Sequence, residues 1–497
     1  MIKDLEFVSP ESQGIRSEDV LEFIHFLEYQ KINIHSFLMA RKGKIIAEGY
    51  VPPFHKDFAH RIYSSSKTFV SLAVGMLITE GKLTLQDRVS DYLQDYIETE
   101  LHPWVRNMTV EDCLTMSQPM YRDMSKPPKD LNRWCYNAFN EFVLKKPAGT
   151  IFRYGQGADI LGVVVQQITG MDFVDYLRPL FDEIGVAKDI WCVRAAEGHC
   201  WAGSGVICTL RDFAKVGEVV LNKGFVNGKQ LIDREYMEKA TSVQITNLSA
   251  NNYRPQRAGG YGYLIWIAPD AAIFSGMGSQ MCYCFQKKDF MLVCQADTQG
   301  ESNASAGLIY DWAKYMIYDR IGRKKKEGKA YIELQEKLKN LQPPMYGVPY
   351  SDYQKELSGK TYTLAENNPM GWKYFRFDFA ENGKEGTLTY ENVRGVKKIA
   401  FDMGHLRQGT FPETHYYDKK RDVPANRELN SLTAGEWLEE KKLLLRVYIT
   451  DTSFGNFFAV FGFKDNVVGV ELNKTAEFFL DDYHGMTYGF LQGEHEG

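Results

Sequence analysis

Phe69, Leu72, Ala73, Met76 and Leu77 recur at i, i+3, i+4, i+7 and i+8, the stripe of an amphipathic helix, and Gly81 supplies its stop. Ahead of it, Phe37-Leu38-Met39-Ala40-Arg41 and Lys44-Ile45-Ile46-Ala47 flank Lys42-Gly43 and read as the strands of a hairpin. The run Ile160-Leu161-Gly162-Val163-Val164-Val165 predicts a buried helix, and Cys282-Tyr283-Cys284-Phe285 a strand. Further along, the period changes to two. Phe375, Phe377 and Phe379 share one face of an alternating segment, as do Leu443, Leu445, Val447 and Ile449, and again Phe457, Ala459, Phe461 and Phe463 before the turn Lys464-Asp465-Asn466. Short strands separated by turn residues predict an antiparallel barrel or sandwich, with the aromatic face as its core. Between the two regimes, the polar helix Tyr331 to Asn340 gives way to Gln342-Pro343-Pro344-Met345-Tyr346-Gly347-Val348-Pro349, which breaks regular structure. The predicted organisation is a first domain over 1–340, a linker over 341–356 and a β-rich domain over 357–497.

Composition narrows the function classes. With 44% hydrophobic and 25% charged residues the 497-residue chain is globular, and a formal charge of -5 leaves no nucleic-acid footprint. The basic cluster Arg320 to Lys326 reads as a solvated face at a helix end. No apolar leader follows Met1 and no run of 18 or so apolar residues is present, so neither export nor a membrane span is expected. Eight cysteines without a C-x-x-C or zinc spacing read as buried thiols, which together with the missing leader points to a reducing cytoplasm. The histidines form no H-x-x-x-H pair, and His55 and His60 read as satisfied loop residues. No metal or cofactor is implied.

The chemistry begins at Ser64-Ser65-Ser66-Lys67, where sheet gives way to helix. In a helix, residues three apart share a face, so Lys67 reaches the hydroxyl of Ser64 more readily than those of Ser65 or Ser66. A serine hydroxyl needs a base to become a nucleophile, and burial at the positive end of a helix disfavours an ammonium. The competing reading of these four residues is a serine-rich helix cap followed by a surface lysine. Phe152-Arg153-Tyr154-Gly155-Gln156-Gly157 places a tyrosine in a glycine-rich loop before the second predicted helix. Ser, Lys and Tyr together make a proton relay that needs no histidine, although Tyr154 alone is equally a packing residue.

Further segments follow in a telling order. They are Ser9-Pro10-Glu11-Ser12-Gln13-Gly14, Gly81-Lys82-Leu83-Thr84-Leu85-Gln86-Asp87, the stretch Met108 to Met116, and Trp201-Ala202-Gly203-Ser204-Gly205-Val206 with Thr209-Leu210-Arg211-Asp212-Phe213. With the S-x-x-K tetrapeptide and Tyr154, the chain over roughly residues 8–320 resembles the class C β-lactamase-like serine hydrolases, a group that includes DD-peptidases, esterases, D-aminopeptidases and amide hydrolases. The resemblance implies an α/β (α+β) fold, a β-lactamase/DD-peptidase-like antiparallel sheet flanked by helices with a helical subdomain, here followed by the β-barrel-like domain, which loosely resembles a lipocalin.

It further implies that Ser64 is acylated, that Lys67 is its partner base and that Tyr154 is the tyrosine of the second motif. Gln156 stands where the family commonly has asparagine. The third motif, commonly Lys-Thr-Gly or His-x-Gly, is best matched by Phe274-Ser275-Gly276. The backbone N–H groups of Ser64 and Met277 are then the expected oxyanion donors, and the missing cation at Phe274 implies poor penicillin turnover. Ser275, Gly276, Gln156, Tyr121 and Trp134 are candidate substrate contacts, and the segments 116–140 and 253–263 candidate pocket walls. The expected reaction is hydrolysis of a small-molecule or short-peptide ester or amide. Two other readings stay open: a binding protein that has kept the fold and lost activity, and a homo-oligomer assembled through the β-domain.

Overall fold

The computed structural model describes residues 6–122, 134–140, 142–195, 197–247, 257, 259–300, 304–323, 328–416, 427–476 and 479–493. A seven-stranded antiparallel sheet organises the first part of the chain. Its spatial order is Gly260–Tyr261, Trp266–Ile267, Ala272–Gly276, Gln280–Phe285, Phe290–Ala296, Ile34–Arg41, Lys44–Tyr50. Lys42 and Gly43 take φ of +51° and +70°, the left-handed geometry a tight hairpin turn requires. The pairing Arg41↔Lys44 at that turn sets the register of the amino-terminal hairpin. The helices Ser17–Tyr29 and Lys329–Lys339 pack together at one end of this sheet, and Leu210–Leu221 covers its Gln280–Phe285 and Phe290–Ala296 strands.

The helix Ser66–Thr79 departs from its predicted character. Every residue from Ser66 to Leu77 is buried, so it is a central helix and not a surface one with a single apolar stripe. It packs on the helix Gly157–Thr169. Its polar side chains are satisfied internally: the Thr68 hydroxyl donates to Leu264 O at 3.3 Å, and Ser71 pairs with the Tyr236 hydroxyl at 3.0 Å.

A second hydrophobic core runs from Tyr353 to Tyr483. Nine strands close around it: Gly395–Met403 pairs in parallel with Leu429–Glu439 at Asp402↔Ala434 and Met403↔Gly435, while Arg407–Phe411 adds to the margin of Leu429–Glu439. Closure removes the open edges that invite aggregation. The alternating phenylalanines point inward, with Phe375 and Phe377 each 5.0 Å from the Phe461 ring centroid, in the range aromatic pairs prefer. A Cβ on Gly386 would sit 2.3 Å from the Phe401 ring, so that glycine makes room for a filled interior.

The segment after Leu341 is tied to this barrel. The Tyr346 and Gly347 amides donate to Glu436 Oε2 at 2.6 and 2.8 Å. Glu436 in turn forms a fully buried ion pair with Arg446, whose guanidinium also donates to Pro344 O at 2.8 Å. All eight cysteines are buried thiols. No helix among the described residues is long and apolar enough to cross a membrane.

Candidate active site

A single 3-10 turn, Tyr63–Ser65, feeds the central helix. It separates the three serines by function. The Ser65 hydroxyl donates to Gln280 O at 2.7 Å, and Ser66 Oγ accepts the Val206 N–H at 3.0 Å; both serines are buried. Ser64 is half-exposed, and Lys67 Nζ donates to its Oγ at 3.0 Å. Of the three, Ser64 therefore presents its hydroxyl to a base. Lys67 itself is buried, and its other acceptor is the Gly203 carbonyl at 2.5 Å.

Gly203 connects Lys67 to a residue the sequence reading passed over. The Gly203 N–H donates to Asp159 Oδ1 at 2.8 Å, so one glycine residue links Lys67 Nζ to a carboxylate. A Cβ on Gly203 would stand 2.8 Å from both Asp159 oxygens, so the carboxylate packs directly against that glycine. Burial pushes the Asp159 carboxyl above the ordinary range, and the Lys67 charge with the Gly203 N–H pulls it back. Asp159 lies one helical turn into Gly157–Thr169, the helix that follows Tyr154.

Tyr154 is partly exposed and offers its ring face to Lys67 Nζ, 4.8 Å from the centroid. The ring stacks on Trp266 at 5.5 Å and meets Tyr261 edge-on at 6.4 Å. This geometry brings the Tyr154 ring over Lys67 Nζ. Catalytic hydrogen bonds often tighten only when substrate is present. Gln156 flanks the amino end of the following helix, with φ and ψ of -89° and 8° and no side-chain cap. The acceptor position beside Lys67 is filled by Gly203 instead.

The strand Ala272–Gly276 brings the third-motif residues alongside. A Cβ on Gly276 would sit 2.2 Å from Ile62 O, so the strand end presses against the backbone just before the nucleophile turn. Gln280, fully buried, donates to the carbonyls of Met277 and Gly278 at 3.2 and 3.1 Å, while its own carbonyl takes the Ser65 hydroxyl. The Met277 turn and the Ser64 turn are thereby cross-linked. Phe274 is buried against Phe213, with centroids 5.9 Å apart. Ser275, on the opposite face, accepts from Arg257 Nη2 at 2.9 Å, and that guanidinium lies 4.4 Å over Trp266. A cation thus stands beside the third motif although none is in it. The Tyr121 and Trp134 side chains lie outside the described residues, as do residues 123–133, 253–256 and 258 of the candidate walls. His60 is fully buried between His35 Nδ1 and Arg61 O, each at 2.9 Å. Burial lowers the His60 pKa to about 3.

A family model described as Beta-lactamase matches residues 25–305, more than half of the chain. The chain belongs to the beta-lactamase family, whose members with an S-x-x-K nucleophile are serine hydrolases. It is 26% identical over 220 residues to the 6-aminohexanoate-dimer hydrolase of Paenarthrobacter ureafaciens, a match covering 41% of this chain and 56% of that protein. The chain thus spans little more than half the length of that curated relative. Among solved structures, a Bacillus anthracis protein provisionally described as a 6-aminohexanoate-dimer hydrolase aligns over 64% of this chain and 86% of its own, at 18% identity and a TM-score of 0.50. A Bacteroides dorei protein provisionally described as a beta-lactamase aligns over 61% and 99%, at 13% identity and a TM-score of 0.51. These two likenesses concern the fold.

Proposed function

We propose that this chain hydrolyses an ester or amide through an acyl-enzyme on Ser64. The observation that carries the reading is the 3.0 Å contact from Lys67 Nζ to Ser64 Oγ, with the Ser65 and Ser66 hydroxyls engaged elsewhere. In the proposed reaction Lys67 acts in its neutral form: Ser64 Oγ attacks the acyl carbon and its proton passes to Lys67. Tyr154 relays that proton from Lys67 to the alcohol or amine as the bond between it and the acyl carbon breaks. Water then attacks the acyl carbon, its proton passes through the same two groups to Ser64 Oγ as the acyl–Oγ bond breaks, and the acid leaves with the resting state restored. The Ser64 and Met277 N–H groups hold the oxyanion, each donor contributing about 10²- to 10³-fold in this kind of chemistry.

The substrate reading is an ester, a D-amino acid amide or a short peptide amide in preference to a β-lactam. Phe274 supports it, because an apolar side chain packed on Phe213 gives a β-lactam carboxylate no partner from the third motif. A fluorophosphonate probe tests the nucleophile: the purified protein becomes labelled and Ser64→Ala does not. Absence of labelling in the parent overturns the hydrolase reading and favours a binding protein on the same fold. Assays with p-nitrophenyl esters, D-amino acid amides and a chromogenic cephalosporin test the preference. Ester turnover exceeds cephalosporin turnover if the reading holds, and the reverse order overturns it.

A further inference from the structure

The residue before Ser64 is held by the other core. Tyr63 has φ of +46°, a left-handed conformation that a bulky residue keeps only where its surroundings impose it. Its ring is buried, and its hydroxyl accepts the Phe454 N–H at 2.6 Å and lies 3.4 Å from Phe454 O. Phe454 opens the barrel strand Phe454–Lys464, directly after the turn Asp451-Thr452-Ser453. The same turn takes the neighbouring arginine. Arg61 Nη1 donates to Thr452 O at 2.9 Å, while Arg61 Nε donates to Ser204 O at 2.9 Å and the guanidinium lies between the Tyr63 and Trp201 rings, 4.5 and 4.4 Å from their centroids. Ser204 follows Gly203, the carbonyl that Lys67 uses.

We propose that the barrel turn 451–454 is a built part of the active site, and that Tyr63 and Arg61 are positioning residues through which it sets the two partners of Lys67, Ser64 on one side and the Gly203 carbonyl on the other. Other contacts fix the turn in place. The Phe454 ring stacks on His60 at 3.8 Å, Gln299 Nε2 donates to Phe454 O, and Asn456 Nδ2 donates to Asp297 Oδ2 at 2.9 Å. The geometry is over-determined on the barrel side, as a strained turn needs. The barrel therefore acts on the reaction through backbone geometry.

The inference rests on Ser64 as nucleophile, and its test separates the two. In the full chain, Tyr63→Phe removes one hydroxyl and keeps the buried ring. The expected result is fluorophosphonate labelling and kcat each lowered about 10- to 100-fold with KM within about twofold, because small misplacements of a nucleophile act on the chemical step. The melting temperature moves by only a few degrees. Arg61→Lys, which keeps the charge and loses the fork between Thr452 and Ser204, gives the same split. Unchanged labelling in both variants, or a loss that vanishes on cooling in step with the melting shift, overturns the proposal. A crystal structure of Tyr63→Phe supplies a readout independent of activity: Ser64 Oγ and Lys67 Nζ separate beyond hydrogen-bond reach. A retained contact overturns positioning even if Ser64→Ala shows that another residue is labelled.

Discussion

Two buried cations in this chain are neutralised in opposite ways. Arg446 sits inside the barrel wall in a direct ion pair with Glu436, both fully buried, and spends its remaining donors on Pro344 O and the Tyr448 hydroxyl. Lys67, nearly as buried, touches a hydroxyl and a carbonyl and reaches its carboxylate, Asp159, only through Gly203. A direct pair locks a charge into place, since removing one partner leaves the other unpaired in a low-dielectric interior. A lysine spaced from its carboxylate by a glycine residue keeps its Nζ on the Ser64 hydroxyl. The first arrangement suits a structural tether, and the second fits the proton-transfer role proposed for Lys67.

That contrast can be broken experimentally. Lys67→Ala lowers ester kcat/KM by about 10²- to 10⁴-fold, the span usual for loss of a positioned general base, with a preserved circular dichroism spectrum. Arg446→Met costs about 3–5 kcal/mol in denaturant unfolding, and Arg446→Met with Glu436→Leu recovers most of it, because the double variant leaves no orphan charge. Equal losses in the single and double variants contradict the contrast.

A third buried ionisable group sharpens it, with no ion pair among the described residues. Burial, with Asp289 nearby, raises the Glu218 pKa to about 7. The folded state therefore binds a proton that the unfolded state releases near the ordinary glutamate value, so stability is full below that value and falls as pH rises through about 7. Glu218→Gln is then neutral near pH 4 and stabilising by up to about 3 kcal/mol at pH 8. Thermal melts of both proteins across that range check the sign. Asp159→Asn, which keeps the Gly203 hydrogen bond and removes the charge, lowers kcat about tenfold with KM little changed. The smallest effect belongs to Arg257→Ala, which raises KM severalfold for substrates bearing a carboxylate and leaves neutral esters alone; equal shifts for both show that Arg257 only packs Trp266.

The legible part of the site was the part written in local spacing. Ser64 and Lys67 share one turn of chain, and Tyr154 announces itself by its glycine-rich loop. Asp159 did not, because its link to Lys67 runs through a backbone carbonyl more than a hundred residues from Ser64, and a carbonyl carries no residue signature. Gly203 carried no such signature either; its close approach to Asp159 appears only once the two stand side by side. Phe274 was read correctly as lacking a cation, yet Arg257 reaches the neighbouring Ser275 from outside the motif. The helix Ser66–Thr79 showed an apolar stripe whose polar complement turned out to be buried too, since Ser66, Thr68 and Ser71 find partners in other segments. Period-two alternation predicted the barrel strands well, because pleating fixes which side chains face inward. That one of its turns would brace the nucleophile had no local sign.

The Tyr63–Phe454 contact spans 391 positions in the chain. A ribosome needs about 20 to 80 s to make that much polypeptide. If the turn 451–454 sets Ser64 and Lys67 as proposed, the emerging chain gains that arrangement only after the barrel strand Phe454–Lys464 has been made.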